Sequence, residues 1–227
     1  MILLQISTAS PVDTVTVSSG QDSMALLSLI LQGGYMMIPI FILSVVAVYI
    51  YVERHRTISR AAKMPSGFME NIKRMVADGD LSGAKVLCQQ SDTPIGRMIG
   101  KGLSRIGSPL KNIEVSIENV GRIEIYNLEK NLSLLATISG AAPMIGFLGT
   151  VTGMIRAFIS IAQEEGAVSP KLLSAGIYEA MLTTAAGLFV GIIAYLGYNY
   201  LVTRVQKIVH NMEFTSIDFI DLLQEPR

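Results

Sequence analysis

Apolar and polar positions divide the chain into three long apolar runs and one charged interval. Met36 to Val52 is an uncharged stretch of 17 residues, at the lower limit for a helix that crosses a bilayer. Between Asn131 and Ile155 no side chain is charged, and from Leu172 to Thr203 the only charge is Glu179. No segment alternates at period two for long enough to require a strand, and no internal repeat is visible. The pattern predicts an all-α integral membrane protein with three transmembrane helices, long helices extending into the cytoplasm, and a small cytoplasmic helical region.

Residues 1–22 read as an external N-terminal tail, rich in Ser, Thr and Val and without the Lys or Arg of a signal-peptide n-region. A cleaved leader ending near Ala9 is the alternative. Residues 23–53 hold an interfacial helix and the first span. Ser23 to Gln32 is apolar on one side and either lies in the interface before Gly33-Gly34 or forms the first turns of the span. Tyr35, Tyr49 and Tyr51 stand where interfacial aromatics stand. Pro39 is tolerable in a first helical turn, which has no intrahelical donors to lose. Arg54, Arg56, Arg60 and Lys63 follow, whereas no basic residue precedes the span, so the positive-inside rule puts the N-terminus outside and the C-terminus inside.

Residues 54–130 carry 13 of the 18 basic residues and form the cytoplasmic helical region. Phe68, Ile72, Met75 and Val76 recur at helical spacing, Asp78-Gly79-Asp80 turns the chain, and Leu81, Ala84, Leu87 and Cys88 repeat the pattern. Thr93 caps a third helix with Pro94 in its first position. A fourth, with Ile113, Ile117, Val120, Glu124 and Leu128 on one flank, meets no strong breaker and runs into the second span as one long helix, bent at Pro143. That span occupies 131–163, a periplasmic loop 164–171, and the third span 172–203. A cytoplasmic C-terminal helix fills 204–227, with Met212, Ile217, Ile220 and Leu223 as its apolar contacts.

Composition agrees: half of the residues are apolar and 16% are charged, far from the soluble norm. A formal net charge of zero gives no support for binding nucleic acid. The single cysteine, Cys88, has no companion at metal-site spacing and reads as a packing residue. His55 and His210 sit in charged flanks without a second ligand and read as solvated. Gly146-x-x-Gly149 and Gly100-Lys101-Gly102 lack the spacing and the Lys-Ser/Thr ending of a phosphate loop, and no nucleophile, base and orienting group form a set. No metal, cofactor or enzymatic activity is expected.

Chemistry concentrates in the second and third runs. On a helix, Ala136, Ser139, Pro143, Gly146, Thr150, Gly153 and Ala157 share one face, and Gly149-x-x-x-Gly153 has the spacing that lets transmembrane backbones approach. Ala180, Thr184, Gly187 and Gly191 form a second small face, with Glu179 and Thr183 at its edge. Close helix packing accounts for most of these positions, and small faces of this kind predict self-association. Glu179 lies roughly 10 Å below the outer end of its span. A carboxyl group there is costly and functional by default, because desolvation favours the protonated form and suits it to a proton relay. The bland alternative is a satisfied acid, bonded to Thr183 or paired with Arg156. Thr150 and Thr184 supply hydroxyls that can hold water beside it. Arg156 lies at a similar depth; its favoured course is outward, towards Glu164 or Glu165, with pairing to Glu179 as the alternative.

Ala142-Pro143-Met144-Ile145-Gly146-Phe147-Leu148-Gly149-Thr150-Val151-Thr152-Gly153-Met154 closely resembles the second-span motif of the MotA/TolQ/ExbB proton-channel family. Gly176-Ile177-Tyr178-Glu179-Ala180-Met181-Leu182-Thr183-Thr184-Ala185-Ala186-Gly187-Leu188 is similar to its third-span signature, with acid and threonine five residues apart. Length, span number and the central charged segment match the ExbB and TolQ branch from Met36 onwards. The resemblance implies a homopentameric inner-membrane stator around an ExbD-like or TolR-like single-span partner bearing an essential aspartate. Proton passage there would energise a TonB-like or TolA-like transducer, the first opening outer-membrane transporters and the second maintaining the envelope. By motif position it assigns Thr150, Glu179 and Thr184 to the pore lining. Thr152 stands where an aromatic residue is common and Arg156 where a neutral polar one is, which bears on pore electrostatics at the outer end. A non-conducting membrane scaffold, its polar residues serving only to join helices, is the reading from another class.

Overall fold

The computed structural model describes residues 33–65, 67–163 and 170–224, and every regular element among them is helical. In chain order these are α1 (Met37–Ala61), α2 (Phe68–Ala77), α3 (Leu81–Gln90), α4 (Pro94–Leu103), α5 (Leu110–Glu129), α6 (Leu132–Gln163) and α7 (Pro170–Gln224). The expected tail and the Ser23–Gln32 segment lie outside the described residues, as does most of the loop at 164–171.

Among the described residues, three helical runs are long and apolar enough to cross a membrane: Met37–Ala61, Leu110–Gln163 and Leu173–Gln224. They pack as a three-helix layer in which α6 and α7 share the largest interface and α1 lies against both. Met144, Phe147 and Phe189 turn outward with 75%, 65% and 66% of their surface exposed. An outer surface this apolar has no stable place in water and fits lipid or further protein chains.

Below the apolar layer, α2, α4 and α5 pack against the far half of α7, and α3 packs against α2 and α4. Their ends follow local chemistry. Asp80 caps α3, its Oδ1 accepting from the Gly83 N–H at 2.9 Å, and Thr93 caps α4 by accepting from the Gly96 N–H at 3.2 Å, with Pro94 following. Between α2 and α3, Gly79 sits at φ 77°, a left-handed turn position that suits glycine. Ile72, Ile99, Leu103, Ile117 and Phe219 form the fully buried centre.

α7 runs for 55 residues, roughly 80 Å at 1.5 Å per residue. It passes from the apolar run into the C-terminal tail without a break. Leu201, Val205, Ile208, Met212 and Phe219 mark its buried stripe. This corrects one expectation, because Ile217 is 62% exposed and Phe219 takes the inward position. From Met212, a step of seven residues returns to the same face, whereas a step of five points away.

The junction of α5 and α6 is also corrected. Rather than one uninterrupted helix, the run from Leu110 to Gln163 has a joint at Lys130, with ψ 135°, and Asn131, with φ 63°. Asparagine is among the few non-glycine residues that enter the left-handed region at small cost, so a joint forms without Gly or Pro. The end of α1 braces it: Arg54, only 5% exposed, donates from Nη1 to the Asn127 carbonyl at 3.2 Å and pairs with Glu53. Asn127 belongs to the last turn of α5, whose carbonyls have no intrahelical donor.

Candidate functional site

The small residues identified in the second and third runs meet one another inside the chain. Gly146 and Gly149 on α6 face Thr183, Thr184 and Gly187 on α7. A β-carbon on Gly146 would stand 2.9 Å from the Thr183 carbonyl oxygen, and one on Gly187 would stand 2.6 Å from the Ala142 carbonyl oxygen. Further along the seam Gly153 meets Ala180, Gly176 meets Ala157, and Gly191 meets the Pro143 ring. Glycine is required here for approach. The close helix packing expected at these positions is what the structure shows, the small faces of α6 and α7 being occupied by each other within the chain.

The hydroxyls of the seam are satisfied by backbone. Thr184 Oγ1 donates across the interface to the Gly146 carbonyl at 2.9 Å. Thr183, 1% exposed, donates to the Ala180 carbonyl at 2.8 Å, one turn back on its own helix. Thr150 is half-buried and donates to the Phe147 carbonyl at 2.6 Å. Each oxygen keeps lone pairs able to accept from water or from a protonated acid. Thr150, Thr183 and Thr184 thus lie on or beside one seam, and none bonds Glu179.

Glu179 is held instead by Arg156. The guanidinium Nη1 stands 3.3 Å from Glu179 Oε1, joining α6 to α7 near the outer end of the seam. The favoured outward course of Arg156 is therefore not taken. An unpaired charge of this kind costs on the order of 2.5–3.5 kcal/mol at the centre of a membrane helix, and mutual pairing relieves much of that. Both side chains stay partly exposed in the single chain, 50% for Arg156 and 28% for Glu179. Thr152 and Ser160 lie one turn to either side of Arg156, giving that end of α6 a polar stripe within an apolar helix.

Two further residues complete the arrangement. The Arg156 guanidinium carbon lies 4.1 Å from the centroid of the Tyr35 ring, a cation–π distance. Gly34, at φ 66°, brings backbone against the carboxylate so closely that a β-carbon there would overlap Glu179 Oε1. Sequence reasoning read Gly33-Gly34 as a helix breaker and Tyr35 as an interfacial ring, and assigned neither to the site. The available signal was a glycine pair directly before an aromatic at the depth where the acid must be met.

Charge pairing in the short helices is of another kind. Arg97 forms a two-pronged bond to Glu124, Nε to Oε1 at 2.8 Å and Nη2 to Oε2 at 2.7 Å, and reaches Asp92 at 2.8 Å. The Glu124 carboxylate raises the Arg97 pKa above its ordinary value. Burial pushes the Cys88 thiol up to about 11, which makes it a poor nucleophile and supports its packing role.

Residues 90–214 match the model of the MotA/TolQ/ExbB proton channel family. An ExbB-like biopolymer transport protein of Synechocystis is 30% identical over 180 residues, which is 78% of this chain and 71% of that protein. The Tol-Pal system protein TolQ of Haemophilus influenzae is 38% identical over 99 residues, 41% of this chain and 43% of TolQ. The biopolymer transport protein ExbB of Aquifex aeolicus is 40% identical over 80 residues, 35% of this chain and 53% of that protein.

Proposed function

The chain belongs to the MotA/TolQ/ExbB proton channel family, and from that premise we propose that it is the ExbB-like subunit of a proton-driven stator in the inner membrane. Glu179, the one charged residue between Leu172 and Thr203, carries this reading: a partly exposed carboxyl group beside the α6/α7 seam can take and give a proton inside the membrane. Thr150, Thr183 and Thr184 offer oxygens along the same seam, and the glycines hold the two helices close enough to keep the path narrow. A family of transport subunits carries no bond-making active set, and the chain is a channel component rather than an enzyme.

The outward apolar faces of α6 and α7 support assembly with further copies, as a homopentamer on the family pattern, around an ExbD-like single-span partner. A carboxylate on that partner passes protons with Glu179, and the resulting motion is delivered to a TonB-like transducer for outer-membrane transport. The N-terminus then lies in the periplasm and the C-terminus, with α2 to α5, in the cytoplasm.

The likeness to TolQ favours one second reading, in which the same machine energises envelope maintenance. Deleting the protein's gene separates them. The first reading predicts loss of energy-dependent uptake of iron chelates with an intact envelope. Normal uptake with leaky envelopes and impaired septation assigns the TolQ-like role, and neither phenotype defeats both.

A further inference from the structure

The surroundings of Arg156 give it two partners of different kinds. One is the Glu179 carboxylate at 3.3 Å, which loses its charge when protonated. The other is the face of Tyr35 at 4.1 Å, whose attraction for a cation does not depend on the acid. The two partners come from different elements. Tyr35 and Gly34 belong to the turn that opens α1, Arg156 to α6, and Glu179 to α7. Gly34 backs the carboxylate so tightly that no side chain fits between them. Among the described residues, the titratable and charged groups at this point are Arg156 from α6, Tyr35 from the turn, and Tyr178 beside Glu179 on α7 itself; those of α1 nearest in sequence, Tyr49 and Tyr51, lie more than three helical turns beyond Met37.

We infer that Arg156 is a positioning residue: it holds the Glu179 carboxylate seated against the Gly34–Tyr35 turn, so that the α1, α6 and α7 ends form a latch at this end of the seam. The inference rests on the proton-path reading above. A hydronium ion delivers its proton to the Glu179 carboxylate, leaving a neutral carboxylic acid and water, and the ion pair ends. Arg156 stays in place on the Tyr35 ring while the neutral acid, no longer held by its charge, gives its proton onward. Loss of that proton restores the carboxylate, which returns to Arg156. The guanidinium thus sets when Glu179 can leave, without itself carrying a proton.

The test uses the full chain, purified with the subunits that accompany it and reconstituted in vesicles. Proton flux is measured against outer pH for the wild type, Arg156→Gln, Arg156→Lys, Glu179→Gln and the Arg156→Gln/Glu179→Gln double variant. Releasing the carboxylate from its seat changes the flux profile of Arg156→Gln relative to the wild type. Arg156→Lys keeps the wild-type profile. In the Glu179→Gln background, Arg156→Gln changes nothing further. A profile for Arg156→Gln that superposes on the wild type overturns the latch, and so does an equal effect in both backgrounds. If the wild type itself moves no protons, the channel reading fails and thermal melting decides the latch alone. Coupled residues give a double variant that melts no lower than the less stable single variant, whereas additive losses overturn the latch.

Discussion

The Thr184 hydroxyl reaches from α7 to the Gly146 carbonyl of α6 at 2.9 Å, at the level where Gly187 also meets Gly146. One side chain thereby marks the closest approach of the two longest membrane helices. A hydrogen bond between membrane helices contributes about 0.6 kcal/mol on average and at most about 1.7, while a forced fit into a packed seam costs about 1–3 kcal/mol. Packing should outweigh the hydrogen bond here. Thermal melting of the purified protein is expected to show a small loss for Thr184→Val and a larger one for Gly187→Leu. Gly140→Ala meets nothing within 4 Å and serves as the neutral control.

Phe219 anchors the far end of α7. Its ring is fully buried against Gly102 and Ile117. Truncation to alanine removes a buried aromatic and leaves a cavity, a loss of about 3–5 kcal/mol. Limited proteolysis should then cut the C-terminal part of α7 in Phe219→Ala while leaving the α6/α7 seam intact. Wild-type resistance in that variant would show that Phe219 does not hold α7 to the short helices.

The Arg97–Glu124 pair predicts an asymmetry. Glu124 is 8% exposed whereas the Arg97 side chain is 44% exposed. Removing the arginine strands a buried carboxylate, and breaking a buried pair in this way costs about 3–5 kcal/mol. Removing the acid leaves a guanidinium that can turn to water and to Asp92. Arg97→Ala should therefore melt lower than Glu124→Ala, and the reverse order would refute the burial argument. The raised pKa of Arg97 means that its share of stability is complete below the unfolded value and is lost only in strong alkali.

Cys88 gives a pH signature outside the membrane. With its thiol pushed up from an ordinary 9.0 to about 11, the folded state keeps a proton that the unfolded state gives up. Stability consequently falls as pH rises between those two values. Alkylation at pH 8 should be slow in the native protein and rapid after denaturation, and equal rates would contradict burial of the thiol.

Much of this architecture was legible because membrane helices announce themselves: uncharged runs set the spans, and Thr93-Pro94 and Asp78-Gly79-Asp80 punctuate the short helices. The joint at Asn131 was not legible, since asparagine is a weak breaker whose left-handed geometry depends on the bracing from Arg54. The inward turn of Phe219 in place of Ile217 depends on the phase that α7 inherits from its unbroken course through the apolar layer. At the candidate site, the small residues, the threonines and Glu179 stood out by their setting. The direction of Arg156 did not, because two acids beyond the span and one within it were equally within reach of a long side chain. Only the placement of Tyr35 and Gly34 makes the inward course favourable. Glu124 carried its own signal, an acid in a row of apolar residues, which asks for a partner such as Arg97.

The central claim is that Glu179 carries protons across the membrane. Its most direct measurement is proton flux under an imposed pH gradient, in vesicles holding the complex assembled around this chain, for the wild type and Glu179→Gln at equal abundance and assembly. Flux in the wild type and its loss by about a hundredfold or more in Glu179→Gln is the result predicted, the loss being at the low end of what removing a proton-transfer group costs. Equal flux in the two would contradict it and leave Glu179 a structural partner of Arg156.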